Sequence, residues 1–164
     1  MKIQPLRRLD FHSTNVASKK MERVKKVVAY IVRDTSGKRE LLVFRHRDYP
    51  DAGLQVPAGT VQEGEDIQAA LMREVTEETG LELTGEPVTL GVFDYFNSET
   101  GKINERHVFL VTTPEEIPDR WEWLETGEGE MPEGYVFCFE WADLSGVIEL
   151  AGSQGDYLDR LREL

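Results

Sequence analysis

Residues 67–81, "IQAALMREVTEETGL", constrain this chain more than any other stretch, because they place glutamates on the face that a helix would bury. With Ile67 at zero and about 100° per residue, Leu71 falls at about 40°, Val75 at about 80° and Ala70 at about 300°. Glu78 and Glu74 fall at about 20° and about 340° on the same wheel, flanked by Glu77 at about 280°. Asp66 is a good N-cap residue and Gly80 a good C′ residue, so a helix is predicted between them. Glutamates on a helix usually form a solvated face; here the apolar residues share their side. Burying one ionised carboxylate unpaired costs roughly several kcal/mol, and three together would raise their pKa values and neutralise. A hard divalent cation removes that cost. Oxygen ligands alone suit Mg²⁺ or Mn²⁺, and no Cys and His set of the zinc kind accompanies them.

Around this helix the chain reads as strands. "VKKVVAYIVRD" from Val24, the turn "DTSGK" and "RELLVFRHRD" predict a hairpin. "LQVPAGTVQEGE" reads as a short strand entering a Gly-rich acidic loop, and "VTLGVFDYFN" and "NERHVFLVTT" as a second hairpin. "YVFCFEWADL" is another apolar strand, and "GDYLDRLREL" has helical spacing at Tyr157, Leu158, Leu161 and Leu164. Between the last two strands lies an acidic, Pro-containing connection from Pro114 to Gly134, long enough to suggest a functional or mobile loop. Residues 1–23 show no clear period and read as an arm or an early strand. The expected architecture is α+β: one domain over residues 1–164, with a mixed sheet between helices.

Charge and composition narrow the function. The net charge of −12, from 19 Lys plus Arg against 31 Asp plus Glu, disfavours a nucleic-acid duplex as partner and would repel a phosphate compound unless cations were recruited to the site. Cys138 is the single cysteine, which excludes an internal disulfide and fits a reducing compartment, read as the cytoplasm. No apolar run of membrane-spanning length and no secretory-type apolar core near the start is present, so no membrane role is expected. Nothing here bears against a homodimer.

The spacing around the helix sharpens the acidic signal. Gly59 is followed after five residues by Glu65, and after seven more by Arg73 and Glu74, with Val75, Glu77, Glu78, Gly80 and Leu81 completing the pattern. Every fixed position from Gly59 to Leu81 resembles the signature box of the Nudix hydrolases. The resemblance implies the family's α/β/α sandwich and a metal-dependent pyrophosphohydrolase acting on a nucleoside diphosphate linked to another group. It implies that Glu74, Glu77 and Glu78 bind Mg²⁺ with the Gly59 carbonyl as a further ligand, and that Arg73 and Glu65 hold the loop–helix–loop in shape. Pro57 and Arg45 also sit where many members carry such residues. Arg45 is a candidate phosphate clamp, weighed against a plain solvated strand arginine.

Other roles stay open at this level. The general base is either Glu74 or a glutamate of the 114–134 connection: Glu115, Glu116, Glu122, Glu125, Glu128 or Glu130. Trp121 and Trp123 are candidates for stacking on a nucleobase, although a tryptophan pair in a long connection more often anchors packing. His12, His46 and His107 have no nucleophile or metal spacing. The subgroup signals outside the box name no substrate: Pro87 is too near Leu81 for the ADP-ribose hydrolases, Tyr95 is only near the tyrosine of the dinucleoside polyphosphate hydrolases, and "LLVFR" keeps only the start of the coenzyme A pattern. The alternative function is a silent Nudix-fold module that senses a nucleotide or a partner. An intact box argues against it. A calcium surface ranks last, because EF-hand spacing is missing.

Overall fold

The computed structural model describes residues 20–113, 116–125 and 134–164. Seven strands, β1 (Arg23–Thr35), β2 (Lys38–His46), β3 (Ala58–Thr60), β4 (Val88–Asn97), β5 (Lys102–Thr112), β6 (Arg120–Leu124) and β7 (Val136–Asp143), form one sheet in the order β4-β5-β1-β2-β7-β6, with β3 added against β1. β1 (Arg23–Thr35) and β2 (Lys38–His46) make the expected hairpin, closing at the Thr35–Lys38 pair. β4 (Val88–Asn97) and β5 (Lys102–Thr112) make the second. The β1–β5 pairing is parallel and the rest antiparallel, so the sheet is mixed as expected.

β1 holds the arrangement together because its length lets one edge serve two partners. Val32 to Thr35 pair with β2, while Lys26 to Val28 pair with β3 (Ala58–Thr60). The start of the box is thereby bonded directly to the central strand. α1 (Ile67–Thr79) then returns over one face of the sheet. Its N-cap is Asp66, whose carboxylate accepts from the Gln68 and Ala69 N–H groups, and it ends at Gly80 in the left-handed conformation (φ 75°).

Strand alternation divides the core in two. Val27, Ala29, Ile31, Leu42, Phe44, Phe137 and Phe139 pack with Ala70, Leu71 and Val75 of α1. Val28, Tyr30, Val32, Leu41 and Val43 face the other way, against Leu158 and Leu161 of α2 (Leu158–Arg162). The last helix is shorter than its spacing predicts: Tyr157 precedes it as the N-cap residue and Leu164 is exposed.

The expectation for residues 114–134 needs correction. Arg120–Leu124 form strand β6, paired antiparallel with β7 (Val136–Asp143). Flanking prolines and glutamates hide the two-residue alternation of "RWEWL", whose tryptophans both turn toward the α1 core. Residues 1–19, His12, Glu115, Glu128 and Glu130 lie outside the described residues.

Candidate active site

The Gly59 strand and the glutamate face of α1 meet edge to face. A Cβ on Gly59 would stand 1.8 Å from Glu74 Cδ, so the bare backbone of this residue is what gives the Glu74 carboxylate its place. One residue earlier, the Ala58 N–H donates to Glu78 Oε2 at 3.0 Å. Glu78 is only 9% exposed, and that burial drives its pKa well above the ordinary carboxylate value, with the Ala58 bond pulling the other way. Burial also raises Glu74, with its bond from Arg73 countering only part of the shift.

Arg73 ties the loop to the helix. Its Nε and Nη2 grip Glu65 as a fork at 2.8 and 3.0 Å, and Nη2 also donates to the Thr60 carbonyl at 2.9 Å. Its Nη1 reaches Glu74 at 2.9 Å and Glu77 at 3.1 Å. Glu65 in turn accepts the Gln62 N–H at 2.8 Å, closing the loop around Gly64. Arg73 foremost, and that N–H second, hold the Glu65 carboxyl down at about 2.

These groups line one open cleft of about 430 Å³, in which Glu74, Glu77 and Glu78 face Gly59. Their chemistry, oxygen donors with the most buried carboxylate holding a single bond, fits a hard divalent cation. Among the described residues no three acidic, His or Cys side chains form a ready-made cage. Arg73 Nη1 instead bonds one oxygen of Glu74 and one of Glu77, which leaves each carboxylate a second oxygen as a possible ligand.

Of the connection's glutamates among the described residues, the structure brings Glu125 to the cleft. Two indoles put it there: Trp121 Nε1 donates to the Thr79 carbonyl at 3.1 Å and Trp123 Nε1 to the Glu77 carbonyl at 2.9 Å, satisfying the open end of α1 and clamping β6 to it. Gly80 makes room, since a Cβ there would lie 2.6 Å from the Trp123 ring. The tryptophans are therefore docking residues, and Trp121 stacks on Phe139 rather than standing free for a base. Burial, then the charges of Glu74 and Glu77, raises the Glu125 pKa. Glu116 and Glu122 line other grooves, the second beside Cys138.

Arg45 is not brought to this cleft. It stands across from Cys138 in a groove with Arg120 and Glu122. Besides Arg73, the cations near Gly59 are Lys26 and Arg106, which border it in a separate cavity and which sequence reading missed. His46 packs among Tyr49, Tyr135 and Phe137, and His107 bonds Glu105 at 2.9 Å; neither lines the cleft.

A family model described as the NUDIX domain matches residues 23–159. The chain belongs to the Nudix family. Among curated relatives, the RNA pyrophosphohydrolase of Roseobacter denitrificans is 46% identical over 46 residues, 28% of this chain and 29% of that one. The match thus spans under a third of that relative. The MutT Nudix hydrolase from Burkholderia pseudomallei superposes with a TM-score of 0.64 at 22% identity, covering 85% of this chain and 98% of that one. The Nudix domain of Shewanella oneidensis NrtR, complexed with ADP ribose, gives 0.65 at 14% identity over 86% and 87%. At these identities the two structures speak for the Nudix fold. Nudix proteins generally use divalent metals such as Mg²⁺ or Mn²⁺. No helix among the described residues is long and apolar enough to cross a membrane.

Proposed function

We propose that this chain is a Mg²⁺-dependent pyrophosphohydrolase that cleaves the diphosphate linkage of a nucleoside diphosphate derivative by attack of water. The observation that carries the reading is the convergence of Glu74, Glu77 and Glu78 on a Gly59 backbone that excludes even a methyl group. Glu74, Glu77, Glu78 and the Gly59 carbonyl would hold the metal; bound there, Mg²⁺ supplies charge neutralisation of the diphosphate and a water of lowered pKa. Arg73 and Glu65 keep the Gly59 loop and α1 in fixed relation, which sets where the diphosphate lies relative to the carboxylates. Glu125 lines the same cleft and takes the proton of the attacking water. This role falls to Glu125 rather than Glu74 because Glu74 is already engaged by Arg73 and counted as a ligand.

The test is a panel of nucleotides, sugar nucleotides and dinucleoside polyphosphates incubated with purified protein and Mg²⁺, scored for phosphate-containing products. Turnover of one or more compounds is expected, abolished by chelator. Tight binding of a nucleotide with no turnover at any metal concentration would replace this reading with the nucleotide-sensing module.

A further inference from the structure

Ala58 and Gly59 line the glutamate cleft and also a second cavity of about 180 Å³. Its other walls are Lys26 and Val28 of β1, Asn104 and Arg106 of β5, and Gln154. The metal-facing glutamates and this cavity are therefore the two sides of one short strand.

Three observations mark the cavity as built for a ligand. In a chain of net charge −12, Lys26 and Arg106 form no ion pair with a carboxylate among the described residues; Lys26 donates to Thr60 Oγ1 and Arg106 to the Gly152 carbonyl. Asn104 is 6% exposed and borders the cavity, where its carboxamide can donate to a ligand. Arg106 is also held in place, with its guanidinium 4.2 Å over the Tyr95 ring and 5.8 Å from that of Phe93. Gln154 spends its Oε1 on the Val56 N–H at 2.9 Å, which leaves its Nε2 as a donor.

An ammonium, a guanidinium and two amide donors around a small space suit an oxyanion, not an apolar or cationic group. We infer that this cavity is the subsite for a second phosphoryl group of the substrate, so that the phosphate chain crosses Gly59 with one end at the glutamates and the other at Lys26, Asn104 and Arg106. The inference rests on the hydrolase reading for its substrate. It narrows the substrate to compounds with a further phosphoryl group beyond the linkage cleaved, such as a nucleoside triphosphate, over those whose diphosphate ends in a sugar.

Inorganic pyrophosphate binding to the metal-free protein, measured by calorimetry in chelator, isolates this cavity, because the uncompensated glutamates repel the probe. One-site binding is expected, weakened tenfold or more by Lys26→Gln and by Arg106→Gln, lost in the isosteric Asn104→Asp, kept by Arg106→Lys, and unchanged by Lys38→Gln on the β1–β2 turn. Thermal melts establish that each variant is folded, and Asn104→Asp stands if an arginine variant is not. With Mg²⁺, Lys26→Gln should lower kcat/KM for nucleoside triphosphates at least tenfold more than for nucleotide sugars. Absence of binding to the wild-type protein, or wild-type affinity in Lys26→Gln and Asn104→Asp, overturns the subsite even if hydrolysis is found. Pyrophosphate binding as described, with no hydrolysis of any panel compound, leaves the subsite and overturns the hydrolase reading instead.

Discussion

The carboxylate of Glu74 lies so close against Gly59 that a Cβ on the glycine would stand 1.8 Å from Glu74 Cδ and 2.1 Å from its nearer oxygen. Carbon atoms not bonded to each other settle at about 3.5–4.0 Å, so Gly59→Ala must move either β3 or Glu74. Displacing a ligand costs about 10–100-fold in metal affinity or activity. A loss of that size is expected in Gly59→Ala, read by Mg²⁺-dependence of turnover. Wild-type metal affinity in this variant would show that the contact does not place Glu74.

The role of Arg73 is positional. Arg73→Ala should free Glu65, Thr60 and Glu74 together and lower turnover by about 10–100-fold. The same pair has an acid signature. Glu65 is held at about 2, below its unfolded value near about 4.3. A depressed acid contributes stability that is complete above the unfolded value and lost as pH falls toward about 2. Thermal midpoints of Arg73→Ala should therefore fall less steeply than wild type across that window. Parallel curves would mean that the fork carries no linkage.

Glu78 should weaken the metal-free protein. Its carboxylate is nearly buried and accepts one bond, from the Ala58 N–H, which a glutamine amide oxygen can also accept. Glu78→Gln removes the cost of the buried charge, so the metal-free variant at neutral pH should melt higher, by about 2–4 °C for each ~1 kcal/mol in a chain of this size. Added Mg²⁺ should raise the wild-type midpoint and leave the variant's nearly unchanged. A lower midpoint in the variant would show that the carboxylate is compensated by groups other than a metal.

How much of this is legible in the sequence follows from the periods involved. The acidic face of α1 is readable because a 3.6-residue wheel puts Glu74 and Glu78 among Ala70, Leu71 and Val75, and Asp66 and Gly80 sign the ends. The two-residue period carried the same kind of signal in β1 and β5, where Lys26 shares the row of Val28, Tyr30 and Val32, and Arg106 and Asn104 that of Val108. A charge in a buried row is the strand version of the acidic helix face. Glu125 is not legible this way, because what brings it to the cleft is the docking of Trp121 and Trp123 on helix carbonyls far away in sequence. Arg45 shows the converse: its position in the strand suits a phosphate clamp, while its groove lies elsewhere.

Glu125 is the proposed proton acceptor, so Glu125→Gln should lower kcat by about 100-fold or more with little change in KM. The acidic limb of the pH–rate profile should shift with it. Full turnover in Glu125→Gln would take that role from Glu125 and leave it to Glu74 or another glutamate of the 114–134 connection.

The central claim is that the carboxylates of α1 act through a divalent cation to hydrolyse a phosphoric anhydride. Turnover of the best panel substrate, followed across a Mg²⁺ titration for wild type and Glu78→Gln side by side, tests it most directly. Wild-type activity should rise from zero in chelator to saturation, and Glu78→Gln should stay at least about 100-fold lower throughout. Undiminished wild-type turnover in excess chelator, or wild-type turnover by Glu78→Gln, would contradict it.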